Sequence, residues 1–228
     1  MFSPAKTAGA PVSLLGKRLR ALVDAERVVG DLRRYYGIGL PPDAAPFTGS
    51  RFEHLAGGGD RPEIAGRITA EDLIAVETLS VSIPVELKLG MLEGPLGDEL
   101  ADLLSAIPAG VDLAHVDAAT VADGSPAGQA WRLLESQHGL GWVIAGKILA
   151  RKRPQLLPVY DTVVRCALGR PRPFWLSLHA AMREDDRSLH RLLLDLRQAA
   201  DLPETVSALR VCDVAVWMGH RALDHACR

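Results

Sequence analysis

Apolar residues return every three or four positions along most of this chain, and the β-branched clusters between them are too short to establish strands. A chain with that periodicity buries one stripe of each helix against its neighbours, so the expected class is all-α. Leu14, Leu15, Leu19, Leu22, Val23, Val29 and Leu32 share one face of an expected helix over 13–36. Thr69 followed by Asp72 is a capping box with aspartate in the place of the usual glutamate, and starts a helix expected to reach about Val81. Two short helices, 84–92 and 97–106, are separated by Gly94 and Pro95. The stretch 109–124 is ambiguous. Ser125 caps a helix through Gln137 with Pro126 at its first position, and Trp131, Leu133 and Leu134 are its core candidates. Further helices are expected over 142–151, 161–168, 173–183, 188–200 and from Pro203 to about Ala226. Between the first helix and Thr69, Pro41, Pro42, Pro46 and the run Gly57–Gly59 exclude a long regular element over 37–67. A loop of that length is either mobile or functional.

With 48% hydrophobic residues over 228 positions, the chain can bury a real core, and no repeat or linker divides it. One all-α domain over 1–228, in one or two lobes, is the simplest organisation. No apolar run approaches the roughly 18 residues needed to cross a bilayer, and the first fifteen residues lack a charged-then-apolar layout. We therefore expect a soluble, cytoplasmic protein with no membrane partner. Cys166, Cys212 and Cys227 are odd in number and contain no CxxC, which argues for buried thiols rather than disulfides or a thiolate metal site.

Net charge is −2, so composition gives no reason to expect a polyanionic partner, but its distribution does. From His138 to Pro173 there are Lys147, Arg151, Lys152, Arg153, Arg165, Arg170 and Arg172 against a lone Asp161. The same segment opens His138-Gly139-Leu140-Gly141-Trp142-Val143-Ile144-Ala145-Gly146-Lys147. Two glycines around one apolar residue let the backbone turn sharply, Leu140 can tuck between two helices, and Ala145 permits their close approach. Such a turn presents unpaired N–H groups and a positive dipole end to a phosphate. Alternatively, the glycines form a hairpin that only packs protein on protein, and the basic run is a solvated helix face.

The pair HGLGWVIAG and, twenty residues beyond Gly141, LLPVYDTVVR resembles the helix-hairpin-helix DNA glycosylase superfamily over 125–169. That resemblance implies a hairpin-centred helical bundle, DNA as partner, Gly139 and Gly141 at the phosphate, and Lys147, Arg151, Lys152 and Arg153 as backbone contacts. It also implies Asp161 as the essential carboxylate, stabilising the sugar cation or activating water while a flipped base occupies a pocket. Asp161 followed by Thr162 is equally a good helix N-cap. Members that form a Schiff base carry lysine two residues after the second glycine. Here that position is Val143, so a lyase step through it is not expected. His138 replaces the proline before the first glycine, Arg165 stands one position early, and the four-cysteine cluster of some relatives is absent.

Separately, TGSRFE, RITAEDLIAVETLSV and LARKRPQLLPVYD together resemble a family of uncharacterised bacterial proteins over most of the chain. Tyr160 and Trp142 are read as core residues or stacking surfaces. GGGD at 57–60 lacks the lysine and strand-to-helix setting of a nucleotide loop and reads as a flexible connection, so no cofactor is expected. His220 with His225, His179 with His190, and His115 with Asp112 and Asp117 have no anchoring metal motif. Three function classes follow. They are a DNA-binding protein clamping the backbone without catalysis, a monofunctional base-excision glycosylase using Asp161, and a helical structural or interaction protein.

Overall fold

The computed structural model describes residues 13–23 and 26–221, and every regular element within them is helical. They are α1 (Leu14–Val23), α2 (Arg27–Tyr36), α3 (Ala70–Glu77), α4 (Val85–Glu93), α5 (Pro95–Ala106), α6 (Pro126–Glu135), α7 (Gly141–Lys152), α8 (Thr162–Ala167), α9 (Phe174–Ala199) and α10 (Ala208–Arg221), with short 3-10 turns between. Cys227, His225 and the end of the expected last helix lie outside the described residues.

The stripe expected to run unbroken over 13–36 belongs to two helices. Leu15, Leu19 and Val23 are buried on α1, but the next steps of three or four would turn Glu26 or Arg27 into the core. α2 restarts the phase at Val28, Leu32 and Tyr35 instead. The 173–183 and 188–200 helices form one element, α9, interrupted at Glu184–Arg187, where Asp185, Asp186 and Arg187 take positive φ. The helix begun by Thr69 stops at Glu77, short of Val81.

Helices α3 and α6 pack on α7, α5 packs on α6 and α4 on α5. On the other side α10 is bordered by α1, α2, α8 and α9, so the first helices meet the last ones as expected. α7 carries apolar residues on every face, from Ala145 through Ala150, and is accordingly a central helix. No helix among the described residues is long and apolar enough to cross a membrane.

Candidate functional site

Ser125 caps α6 by accepting the Gly128 amide at 3.1 Å, and α6 lies against α7 through a five-residue turn. Gly139 within it and Gly141 at the first position of α7 take φ of +87° and +61°, which is glycine territory. Leu140 between them is 1% exposed, the tuck read from its position. The Leu140 amide donates to Gln137 O at 3.1 Å. The amides of Gly139 and Gly141 make no hydrogen bond among the described residues, and both glycines are exposed.

Helical spacing then brings Val143 and Lys147, one turn apart on α7, to a cleft of about 290 Å³ that Asp161 also lines. Asp161 N-caps α8, its Oδ1 accepting the Val164 amide at 2.9 Å, while Oδ2 makes no hydrogen bond among the described residues. The carboxylate is both a cap and a cleft residue. An aromatic wall stands in the same cleft. Tyr35 and Phe47 are stacked at 5.2 Å, with Trp217 edge-on to both. Arg210 and Asp213 of α10 complete it as a buried ion pair, and Arg210 also donates to Tyr35 Oη at 2.6 Å and Gly49 O at 2.9 Å. Burial pushes the Asp213 carboxyl up to about 6, against the pull of Arg210 and with Asp161 adding to the rise. Burial lowers the pKa of Lys147, opposed by Asp161 and Asp213, and its ammonium donates to Leu79 O at 3.0 Å.

The basic residues of α7 require a correction. Lys147, Arg151, Lys152 and Arg153 are expected either as DNA-backbone contacts or as a solvated helix face, yet they are 3%, 1%, 0% and 3% exposed, which fits neither. Each spends its donors inside the protein. Arg151 Nε reaches Asp72 Oδ1 at 2.9 Å and its other nitrogens reach Phe52 O and Leu55 O. Lys152 Nζ reaches Asp72 Oδ2 and Ile64 O, each at 2.8 Å. Arg153 donates to Leu104 O and Ile107 O at the C-terminal end of α5, where a cation is favoured, and to Ala65 O. Asp72, 1% exposed, serves twice. It completes the capping box of α3, taking the Thr69 amide at 3.1 Å, and it is the counter-charge of two buried cations.

The segment 37–67 wraps this cluster. Phe52 and Glu53 are buried, and Glu53 binds Ser207 at the start of α10 through its hydroxyl at 2.6 Å and its amide at 3.1 Å. The GGGD run is not a flexible connection. A Cβ on Gly59 would stand 2.6 Å from both Arg151 O and Asp72 Oδ1, so the loop touches the ion pair where only glycine fits. Burial holds the Cys212 thiol up at about 12, and Cys166 is half-buried. His115 and His190 meet edge to face at 5.4 Å, and no group of three or more metal-ligating side chains forms among the described residues.

Tyr35, Arg210, Asp213 and Trp217 were not anticipated as cleft residues. They lie far from Asp161 in sequence, and the packing of α10 on α8, with α2 packed on α10, brings them to it. The class is thus an all-helical protein whose central helix and following capped helix share a charged, aromatic-walled cleft. The chain belongs to the family of unknown function DUF6308, whose model matches residues 28–220. No curated protein and no solved structure matches it.

Proposed function

We propose that this chain is a helix-hairpin-helix DNA-binding protein that receives an extruded base in the cleft beside Asp161. The glycine turn of α6 and α7 meets the phosphate backbone through the unbonded amides of Gly139 and Gly141, at the positive end of α7. The observation that carries the reading is the convergence of Val143 and Asp161 on one cleft, since these are the two positions that the resemblance assigns to a common reaction centre. Phe47 and Trp217, the half-buried rings of the aromatic wall, offer a base aromatic surface, with Tyr35 stacked behind Phe47. Asp161 stabilises the sugar cation, or activates water, as the base departs. With valine at 143, no covalent sugar intermediate forms there.

A non-catalytic clamp is favoured by one observation, the engagement of Asp161 Oδ1 as the α8 cap. The two readings separate on a panel of damaged duplex oligonucleotides. A glycosylase releases a base from one of them, and Asp161→Asn loses roughly a hundredfold or more of that rate with binding retained. Duplex affinity falling steeply with added salt, without base release, leaves the clamp alone. Salt-insensitive or absent binding overturns both. Charge reversal at Lys152 or Arg153 is unsuitable for this test, because it would report folding.

A further inference from the structure

The face of α7 turned away from Asp161 borders a second, larger cleft of about 480 Å³. Trp142 and Gly146 line it, one residue out of phase with Val143 and Lys147. The non-helical link 158–161 divides the same way, giving Pro158 and Tyr160 to this cleft and Val159 and Asp161 to the other. Three of the chain's four tryptophans, Trp131, Trp142 and Trp175, line it. Tyr160 and Phe174 lie nearly parallel with centroids 3.6 Å apart, and Trp142 leans on Tyr160 at 5.7 Å. Arg165 stands over the Trp142 ring at 5.2 Å, and Arg172 joins it in the lining. Neither guanidinium has a carboxylate partner among the described residues. Asp123, Arg132 and Glu135 also line it, with Arg132 donating to Asp123 O at 2.6 Å.

We propose that this cleft binds one nucleotide monophosphate unit, its base on the aromatic wall and its phosphate on Arg165 and Arg172. Unpaired guanidinium forks beside stacked rings suit a phosphate joined to a planar group. The two carboxylates in the lining, Asp123 and Glu135, disfavour a continuous run of phosphates through the cleft, so the ligand is a single anionic aromatic unit. It is either a free nucleotide or one unpaired residue of a strand. Asp161 is absent from this cleft, so the inference is independent of the function proposed above.

The concentration of tryptophan here makes intrinsic fluorescence the readout. Adenosine 5′-monophosphate quenches saturably, adenosine binds at least roughly tenfold more weakly, and inorganic phosphate leaves the signal unchanged. Arg172 is exposed, so Arg172→Glu should melt with the wild-type protein while weakening the nucleotide roughly tenfold and sparing adenosine. Asp161→Asn should bind the nucleotide as wild type does, which separates failure of this site from failure of the other. A short single-stranded oligonucleotide that displaces the nucleotide identifies a strand as the source, and one that does not identifies the free molecule. The proposal is overturned by an Arg172→Glu protein that binds normally, by adenosine binding as tightly as its phosphate, or by no quenching at millimolar nucleotide.

Discussion

Replacing Asp72 by asparagine keeps the size of the side chain and removes the only carboxylate among the described residues that Arg151 and Lys152 touch. Both cations then remain buried with neutral acceptors alone, Phe52 O and Leu55 O for the guanidinium, Ile64 O for the ammonium, and one amide oxygen at position 72. Removing one partner of a buried pair costs about 3–5 kcal/mol. Lys152, whose pKa is already lowered by burial, escapes part of this by shedding its proton, whereas Arg151 stays charged and bears most of the loss. Against a total stability of about 5–15 kcal/mol this is a large fraction. For a domain of this size it lowers Tm by about 6–20 °C, at about 2–4 °C per kcal/mol. Thermal unfolding followed by circular dichroism measures it, with Asp201→Asn as the control, because the exposed Arg33–Asp201 pair contributes about 1 kcal/mol or less. Adding Lys152→Met to Asp72→Asn should recover part of the loss by removing one unpaired donor. An Asp72→Asn protein that melts within a degree or two of wild type would refute the assignment of the basic run to the interior.

The Glu53 carboxyl, pushed up to about 7 by burial against the pull of its Ser207 bonds, should make stability pH-dependent. The folded chain holds this proton more tightly than the unfolded one, at about 4.5, so its contribution is complete below that value and is lost as pH rises through 7. Relative to Glu53→Gln, the wild type should lose about 3 kcal/mol across that window in urea titrations, and parallel curves would contradict it. Leu140→Ala should cost about 2–5 kcal/mol in the same assay, since it empties the space under the glycine turn, and a neutral result would mean the turn is not anchored by that side chain. Gly59→Ala should cost about 1–3 kcal/mol through contact with the Asp72–Arg151 pair, and a stabilised variant would exclude that contact.

Helix positions were legible where the signal was local. The Ser125-Pro126 start, the Thr69–Asp72 box, the glycine turn around Leu140 and the Asp161 cap each involve residues within a few positions of one another. The division of the first helix was also written in the sequence, in the step from Val23 to Val28 that breaks the apolar phase. The basic run was misleading because charge alone was read as exposure. The overlooked signal was the apolar residue on every face of 141–150, which marks a helix with no solvated side to place Lys147 or Arg151 on. The partners of these cations, chiefly carbonyls of 52–65 and the Asp72 carboxylate in the first turn of α3, are distant in sequence, and no local periodicity pairs them with α7. The same holds for the aromatic wall beside Asp161, drawn from α2, the loop after it and α10.

The link at 158–161 sorts its side chains by parity, which makes the spacing of Leu157 to Thr162 more consequential than its composition. One residue inserted there could leave α7 and α8 where they are and still exchange the occupants of the two hollows, sending the carboxylate toward the tryptophans and the tyrosine toward Lys147. Two inserted residues would restore the original assignment. Length variants of this short stretch, more than point changes within it, would redistribute chemistry between the two sides of the molecule.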